Sequence, residues 1–300
     1  MSRVVYVNGR YMPYAKAAVH VEDRGFQFAD GIYEVIAILG GRLVDGAGHL
    51  QRLERNLDEL RIAHPMSRAA LLVVLNETIR RNRVQDGSIY LQITRGAARR
   101  DFPFPAGIRP SVVAITRAVD MERVAAKAAQ GGAAILAPDQ RWARCDIKTV
   151  ALLPAALAKQ AAREQGAFEA FLVDRDGFIT EGSSSNAWIV TKDGVLVTRD
   201  LGLSILSGIT RGAILALAEA EGLRVEERRF RPEEVFAARE AFTTSTTAFV
   251  MPITSLDGRP IGNAAPGLLA TKLRALYAAY AESEARGARS GSGYRAPSGL

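Results

Sequence analysis

The sequence predicts an α+β protein in two domains, and three observations lead there. Short β-rich runs outnumber helical ones and are mostly joined by tight turns, so there is no regular βαβ array. Strand signals occur in both halves of the chain. Between the halves, from Asp120 to Gly132, the pattern breaks into Ala, Lys and the paired Gly131-Gly132, as at a domain boundary. The expected division is an N-terminal α+β domain over residues 1–120, a linker over 121–132, a C-terminal domain over 133–285 and a disordered tail over 286–300, rich in Ser, Gly, Pro and Arg.

The elements follow in order. Val4-Val5-Tyr6-Val7 and Arg10-Tyr11-Met12 flank Asn8-Gly9, a two-residue hairpin signal because both turn positions need positive φ. Gly31 to Leu39 is a β-rich run that turns through Gly40-Gly41 into Arg42-Leu43-Val44. From His49 to Ile62, Leu50, Leu53, Leu57 and Leu60 recur at helical spacing. A second helix spans Ser67 to Arg83, with Ser67 as its N-cap. Strands are expected at Ser88–Arg95 and Ser111–Arg117, with an Arg- and Pro-rich loop, Gly96 to Pro110, between them.

The second half gives a strand at Ala133–Ala137, a helix at Leu152–Gly166, and strands at Ala170–Val173 and Phe178–Thr180 about Asp176-Gly177. Strands at Ala187–Val190 and Val195–Thr198 turn on Lys192-Asp193-Gly194, before a helix at Thr210–Glu221. Strands at Arg224–Glu227, Ala241–Thr244 and Phe249–Ile253 precede a last helix from Pro266 to about Glu284.

Composition narrows the function classes. The chain has 300 residues, 48% hydrophobic and 24% charged, which excludes a disordered chain or a coiled coil. No apolar run approaches the roughly 18 residues of a membrane span, and the start lacks a secretory segment, so a cytoplasmic protein is expected. Cys145 is the single cysteine, and His20, His49 and His64 are widely separated. Neither a multi-cysteine metal site nor a His-based zinc site is expected. The net charge of +7 suits anionic small molecules as well as a nucleic-acid module, but no nucleic-acid motif accompanies it. No GxGxxG or P-loop follows a strand.

Four polar segments lie beside apolar elements. Arg141 to Thr149 places Lys148 just before an Ala/Leu-rich helix. A desolvated amine there would be a base or a carbonyl nucleophile, whereas an exposed loop lysine is the commoner outcome of such spacing. Thr180-Glu181-Gly182-Ser183-Ser184-Ser185-Asn186 puts a carboxylate before a run of hydroxyls; it is either a plain turn or a cradle for a phosphate or heterocycle. Ser207-Gly208-Ile209-Thr210-Arg211 opens a helix, whose N-terminal N–H groups suit a phosphate or simply a Ser/Thr cap. Thr243 to Thr247 adds hydroxyls at a strand end. Together these groups ask for a ligand with a phosphate, a ring and an aldehyde, a description that pyridoxal 5′-phosphate meets.

Glu22-Asp23-Arg24-Gly25-Phe26-Gln27-Phe28-Ala29-Asp30-Gly31-Ile32-Tyr33-Glu34-Val35 resembles the N-terminal signature of the fold-type IV pyridoxal-phosphate aminotransferases. The four polar segments are similar, in the same order, to the D-amino-acid branch of that family, and the likeness covers about residues 3 to 283. The resemblance implies a smaller N-terminal α/β sandwich, a larger C-terminal pseudo-barrel that binds the cofactor, and a homodimer acting on an amino acid and a 2-oxo acid by a ping-pong mechanism. It implies that Lys148 is the Schiff-base lysine and proton shuttle and that Glu181 pairs with the pyridine nitrogen. Arg52, Ser184, Ile209, Thr210, Ser245 and Thr246 complete the cofactor set, and Tyr33 lies beside the substrate. In the family, the loop after Thr94-Arg95-Gly96 serves the neighbouring subunit's site and traps the substrate carboxylate, and Arg100 matches its arginine. The chain departs two residues later, where Phe102 stands in place of a histidine. A branched-chain L-amino-acid aminotransferase, an (R)-amine transaminase and an aminodeoxychorismate lyase are alternatives of the same fold.

Overall fold

The computed structural model describes residues 3–287. The chain divides into two compact units. The first runs to Met121 and also takes in Ile147–Ala151 and the last turn of the chain's final helix from Glu284; the second comprises Glu122–Asp146 and Leu152–Ser283.

The first unit contains β1 (Val4–Val7), β2 (Arg10–Pro13), α1 (Arg24–Phe28), β3 (Gly31–Leu39), β4 (Arg42–Leu43), α2 (Gly46–Glu59), α3 (Arg68–Asn82), β5 (Gly87–Thr94) and β6 (Ser111–Ala118). Its strands form an antiparallel sheet in the order β2-β1-β6-β5-β3-β4. The expected Asn8-Gly9 hairpin is present, with positive φ at both residues. In β3 the period of two sends Ile32, Glu34, Ile36 and Ile38 to one face and Tyr33 and Val35 to the other. The first face meets Ile89, Leu91 and Ile93 of β5 and a helical layer supplied by Leu50, Leu53 and Leu57 of α2 and Leu71, Leu75 and Ile79 of α3. Ser67 caps α3, its hydroxyl accepting from the Ala70 N–H at 3.3 Å.

The second unit contains α4 (Met121–Gln130), β7 (Gly132–Pro138), α5 (Leu153–Glu164), β8 (Glu169–Val173), β9 (Ile179–Gly182), β10 (Asn186–Val190), β11 (Leu196–Thr198), α6 (Ile209–Ala220), β12 (Val225–Glu227), α7 (Pro232–Ala237), β13 (Glu240–Ser245), β14 (Phe249–Leu256), β15 (Arg259–Pro260) and α8 (Leu268–Arg286). Among the described residues its sheet runs β12-β11-β10-β13-β14-β7-β8-β9, with β15 on β14. Pairing is mixed, being parallel at β11/β12, β14/β7 and β7/β8. Trp188 stacks on Phe242 with ring centroids 5.5 Å apart, and a separate cluster that includes Phe171, Ile179, Val197, Phe230 and Ile253 forms a core of the unit.

Three features differ from the sequence-based expectation. The segment expected as a linker, 121–132, is α4 followed by the start of β7; Gly131, at φ +75°, ends the helix. Of α4 only Ala128 is buried. α8 continues to Arg286, into the range expected as a tail, and 288–300 lie outside the described residues. Ile147–Ala151, expected in the C-terminal domain, groups with the first unit because its backbone pairs with β3. Among the described residues no helix is long and apolar enough to cross a membrane.

Leu53 is 1% exposed in the layer between α2 and the sheet. Truncation there leaves a cavity, so Leu53→Ala should lower unfolding free energy by about 2–5 kcal/mol. Leu53→Met, which keeps the volume, should lower it by less than about 1.5 kcal/mol. Urea titration measures both, and equal losses would show that packing at this site is not what α2 contributes.

Candidate active site

The lysine singled out by sequence lies in an irregular segment that backbone hydrogen bonds pin to β3. The Tyr33 N–H donates to the Lys148 carbonyl at 3.0 Å, and the Val150 N–H donates to the Gly31 carbonyl at 3.1 Å. Ile147 and Thr149 on either side are buried. The amine therefore emerges from a short stretch pinned to β3. Its Nζ lies 3.3 Å from the Tyr33 hydroxyl and 4.3 Å from the centroid of the Tyr33 ring, a cation–π contact when the amine is charged. Tyr33 in turn stacks on Tyr90 of β5, at 5.6 Å and an interplanar angle of 28°. Burial, with Tyr33 beside it, pushes the Tyr90 phenol up to about 12. Its hydroxyl donates to Gln92 Oε1 at 2.6 Å. The antiparallel register, Tyr33 opposite Gln92 and Val35 opposite Tyr90, puts these side chains on the sheet face away from α2.

The opposite face carries the expected cofactor residue Arg52, in a cluster not anticipated from the sequence. Its Nε and Nη2 donate to the two oxygens of Glu34 at 2.8 and 2.7 Å, and His49 Nδ1 lies 2.7 Å from Glu34 Oε2. Glu34 is fully buried in β3. Burial alone would raise its pKa, but Arg52 and then His49 outweigh it and hold the carboxyl at about 2. Burial pushes His49 below its usual value, opposed by Glu34. A neutral imidazole facing a carboxylate, which only accepts, carries its hydrogen on Nδ1. A signal for this cluster exists in the sequence: a lone carboxylate inside an apolar strand needs a cation, and His49 and Arg52 are three residues apart on the leucine face of one helix.

In the second unit Glu181 is the hub. It is 5% exposed at the end of β9. Arg141 Nη1 binds one oxygen in a very short contact. Asn186 Nδ2 and the Leu206 N–H donate to the other at 3.0 and 3.2 Å. Arg141 is itself fixed by Asp139 and the Ser204 carbonyl. Burial works against its charge, yet Glu181 and Asp139 raise its pKa overall. Asn186 also donates to the Leu206 carbonyl at 3.0 Å, and a Cβ on Gly208 would collide with Asn186 Oδ1, so only glycine fits where α6 begins. Gly208 occupies the N-cap with no side chain to cap the helix, and Ile209 and Thr210 are buried at its first turn. Asn186 is paired with Thr244 across β10 and β13, which brings Ser245 to the same end of the sheet; its hydroxyl accepts from the Ala248 N–H at 3.3 Å. Thr246 follows it, half-buried.

The serine run has a further occupation. Ser183, Ser184 and Ser185 all direct their hydroxyls to the buried Glu169, Ser184 at 3.1 Å and Ser185 at 2.8 Å. Lys159 pairs with the same carboxylate at 3.0 Å. Cys145 donates its S–H to the Trp142 carbonyl at 3.1 Å, and burial raises the thiol to about 11, so it stays protonated near neutrality. Arg100 lies 5.2 Å from the Phe28 ring, and Phe102, 76% exposed, packs edge-on to the same ring at 5.6 Å.

The first unit thus offers a pinned primary amine beside a phenol and a buried guanidinium. The second offers a buried carboxylate paired with a guanidinium, a helix start without a side-chain cap, and hydroxyls. The amine suits an aldehyde, the carboxylate a protonated ring nitrogen, and the helix start, hydroxyls and guanidinium a phosphate. They fit pyridoxal 5′-phosphate.

Comparison with known proteins agrees. Residues 31–256 match the family Amino-transferase class IV, and the chain belongs to that family: it is an aminotransferase that uses pyridoxal 5′-phosphate. Among its relatives, D-alanine aminotransferase of Bacillus licheniformis is 45% identical over 88% of this chain and 92% of its own. That of Staphylococcus epidermidis is 37% identical over 93% and 98%. Among solved structures, the branched-chain amino acid aminotransferase of Escherichia coli superposes with a TM-score of 0.88 at 25% identity, covering 98% of each chain. The branched-chain aminotransferase of Thermoproteus uzoniensis, solved with norvaline, gives 0.83 at 26%, covering 95% and 97%.

The Glu34 carboxyl takes up a proton near 4.5 when unfolded and only near 2 when folded. The unfolded state therefore binds more protons in that window. The stability Glu34 contributes is complete above pH 4.5 and is lost as pH falls towards 2, a difference of about 3 kcal/mol. Glu34→Gln should cost about 3–5 kcal/mol near neutrality, because Arg52 is left buried without a counter-charge. It should also flatten the decline of the urea midpoint as pH falls from 4.5 towards 2. A variant declining as steeply as the parent would place the acid sensitivity elsewhere.

Proposed function

We propose that this aminotransferase moves the amino group of a D-amino acid of the D-alanine type to a 2-oxo acid, in two half-reactions of a ping-pong mechanism. The observation that carries the proposal is the fixed amine of Lys148, 3.3 Å from the Tyr33 hydroxyl. The choice of a D-amino acid is supported by the D-alanine aminotransferases, 45% and 37% identical over most of the chain. The branched-chain enzymes share the fold at lower identity and supply the second reading, an L-amino-acid substrate.

When bound, the cofactor supplies an aldehyde carbon to take the amino group and a ring to spread the charge left at the substrate Cα. Lys148 holds the cofactor through Nζ. With the cofactor bound, the same nitrogen would be placed to serve as the base that moves the proton at the substrate Cα. Glu181 would pair with the ring nitrogen, and Arg141, Asn186 and the Leu206 N–H hold its carboxylate in place. The N–H groups of Ile209 and Thr210, the hydroxyls of Ser245 and Thr246 and the cation of Arg52 hold the phosphate. Ser184, whose hydroxyl oxygen can still accept after donating to Glu169, completes the set. Tyr33 stands beside the substrate and Arg100 receives its carboxylate. The enzyme works as a cytoplasmic homodimer in which the Gly96–Pro110 loop serves the neighbouring site.

Turnover of D-alanine, L-leucine and (R)-phenylethylamine with pyruvate or 2-oxoglutarate separates the readings. D-alanine should be the best donor; L-leucine as the best would establish the second reading, and product without any acceptor would indicate a lyase. Lys148→Ala should abolish nearly all transamination. Glu181→Gln should lower kcat by at least about tenfold while cofactor affinity changes far less, since the lost interaction matters most as charge develops. Near-parental kcat would remove Glu181 from the ring nitrogen.

A further inference from the structure

Arg24 is a charged residue only 3% exposed, and no part of the proposed chemistry accounts for it. It sits at the start of α1, where Asp23 caps the helix by accepting from the Gly25 N–H at 2.9 Å. Its guanidinium divides its donors. Nε binds Asp30 Oδ2 at 2.8 Å, while Nη1 donates to the Asp101 carbonyl at 2.6 Å and Nη2 to the Phe102 carbonyl at 3.4 Å. The centre of the group lies 4.5 Å from the Phe28 ring centroid. One rigid fork therefore grips two successive carbonyls of the loop that carries Arg100.

The rest of the neighbourhood holds the fork still. Asp30 is shared with Arg95, which binds both of its oxygens at 2.7 and 3.0 Å and donates onward to the Leu60 and Arg61 carbonyls. Arg95 also lies 3.5 Å from the Phe104 ring centroid, a second hold on the same loop. The loop base is closed by the Arg24 N–H donating to the Gly96 carbonyl at 2.9 Å. Gly96 has φ +109° and no room for a Cβ against the Arg109 carbonyl. Arg100 itself is placed over Phe28, the ring that Arg24 and Phe102 also flank.

We propose that Arg24 is the positioning residue for Arg100: by clamping the carbonyls of Asp101 and Phe102 it fixes where the substrate carboxylate is received. The inference rests on the reading of Arg100 as the carboxylate's partner. It explains how this chain can carry Phe102, because the clamp acts on the backbone of residue 102 and is indifferent to its side chain. A lysine keeps the charge opposite Asp30 but lacks the planar fork that reaches two carbonyls at once.

The test is a double-mutant cycle in the holoenzyme, reading KM and kcat for D-alanine in Arg24→Lys, Arg100→Ala and the double variant, with melting temperature measured alongside. Arg100→Ala should raise KM by about tenfold or more, as expected for one lost charge-assisted bond. Arg24→Lys should raise KM by a comparable factor with kcat little changed. The double variant should be no worse than Arg100→Ala alone, because the clamp has nothing left to position. If Arg100→Ala leaves KM unchanged, the carboxylate reading itself fails. If Arg100→Ala raises KM but Arg24→Lys does not, or if the two effects multiply, the clamp is refuted. A lowered melting temperature with parental KM would likewise make Arg24 merely structural.

Discussion

Two backbone hydrogen bonds, from the Tyr33 N–H to the Lys148 carbonyl and from the Val150 N–H to the Gly31 carbonyl, set the position of the Lys148 amine. A lysine side chain has four rotatable bonds, and fixing its far end requires first fixing its near end. The pairing with β3 does that, and the buried side chains of Ile147 and Thr149 prevent the segment from peeling away. Because β3 also supplies Tyr33, the amine and the phenol beside it are placed by one strand. The opposite face of that strand is anchored by the aliphatic layer and by Glu34 with Arg52 and His49.

The same device recurs at three buried carboxylates. Glu34, Asp30 and Glu181 each meet at least one guanidinium that is itself little exposed. Burying such a pair brings small net stability, because desolvation offsets most of the attraction. What it provides is direction. Arg52 is oriented by Glu34, Arg24 and Arg95 by Asp30, and Glu181 by Arg141 with Asn186. In each case a planar fork against a carboxylate leaves little rotational freedom.

Much of this was legible in the sequence. The leucine periodicity of α2, the Ser67 cap and the Asn8-Gly9 turn each rest on a local rule, and the corresponding elements appear within a few residues of their expected bounds. Two helices were not anticipated. α1 has five residues, and α4 buries a single alanine. The polar segments were found, but not their internal wiring. Nothing local tells that the three serines turn to Glu169, which lies in a different strand, or that Arg141 serves Glu181 from 40 residues away. Ion pairs are set by which strands become neighbours, and strand order is the part of an α+β fold that sequence patterns least constrain. The roles proposed for Lys148, Glu181 and Arg100 rest on family likeness; spacing alone favours an exposed loop lysine at position 148.

The central claim is that the nitrogen of Lys148 is the one that carries the cofactor. Borohydride reduction of the purified holoenzyme, followed by proteolysis and mass spectrometry, tests it directly. The account predicts the phosphopyridoxyl mass on the peptide containing Lys148 and on that residue alone. The same mass on Lys159 or any other side chain, or its absence from every peptide, would contradict it.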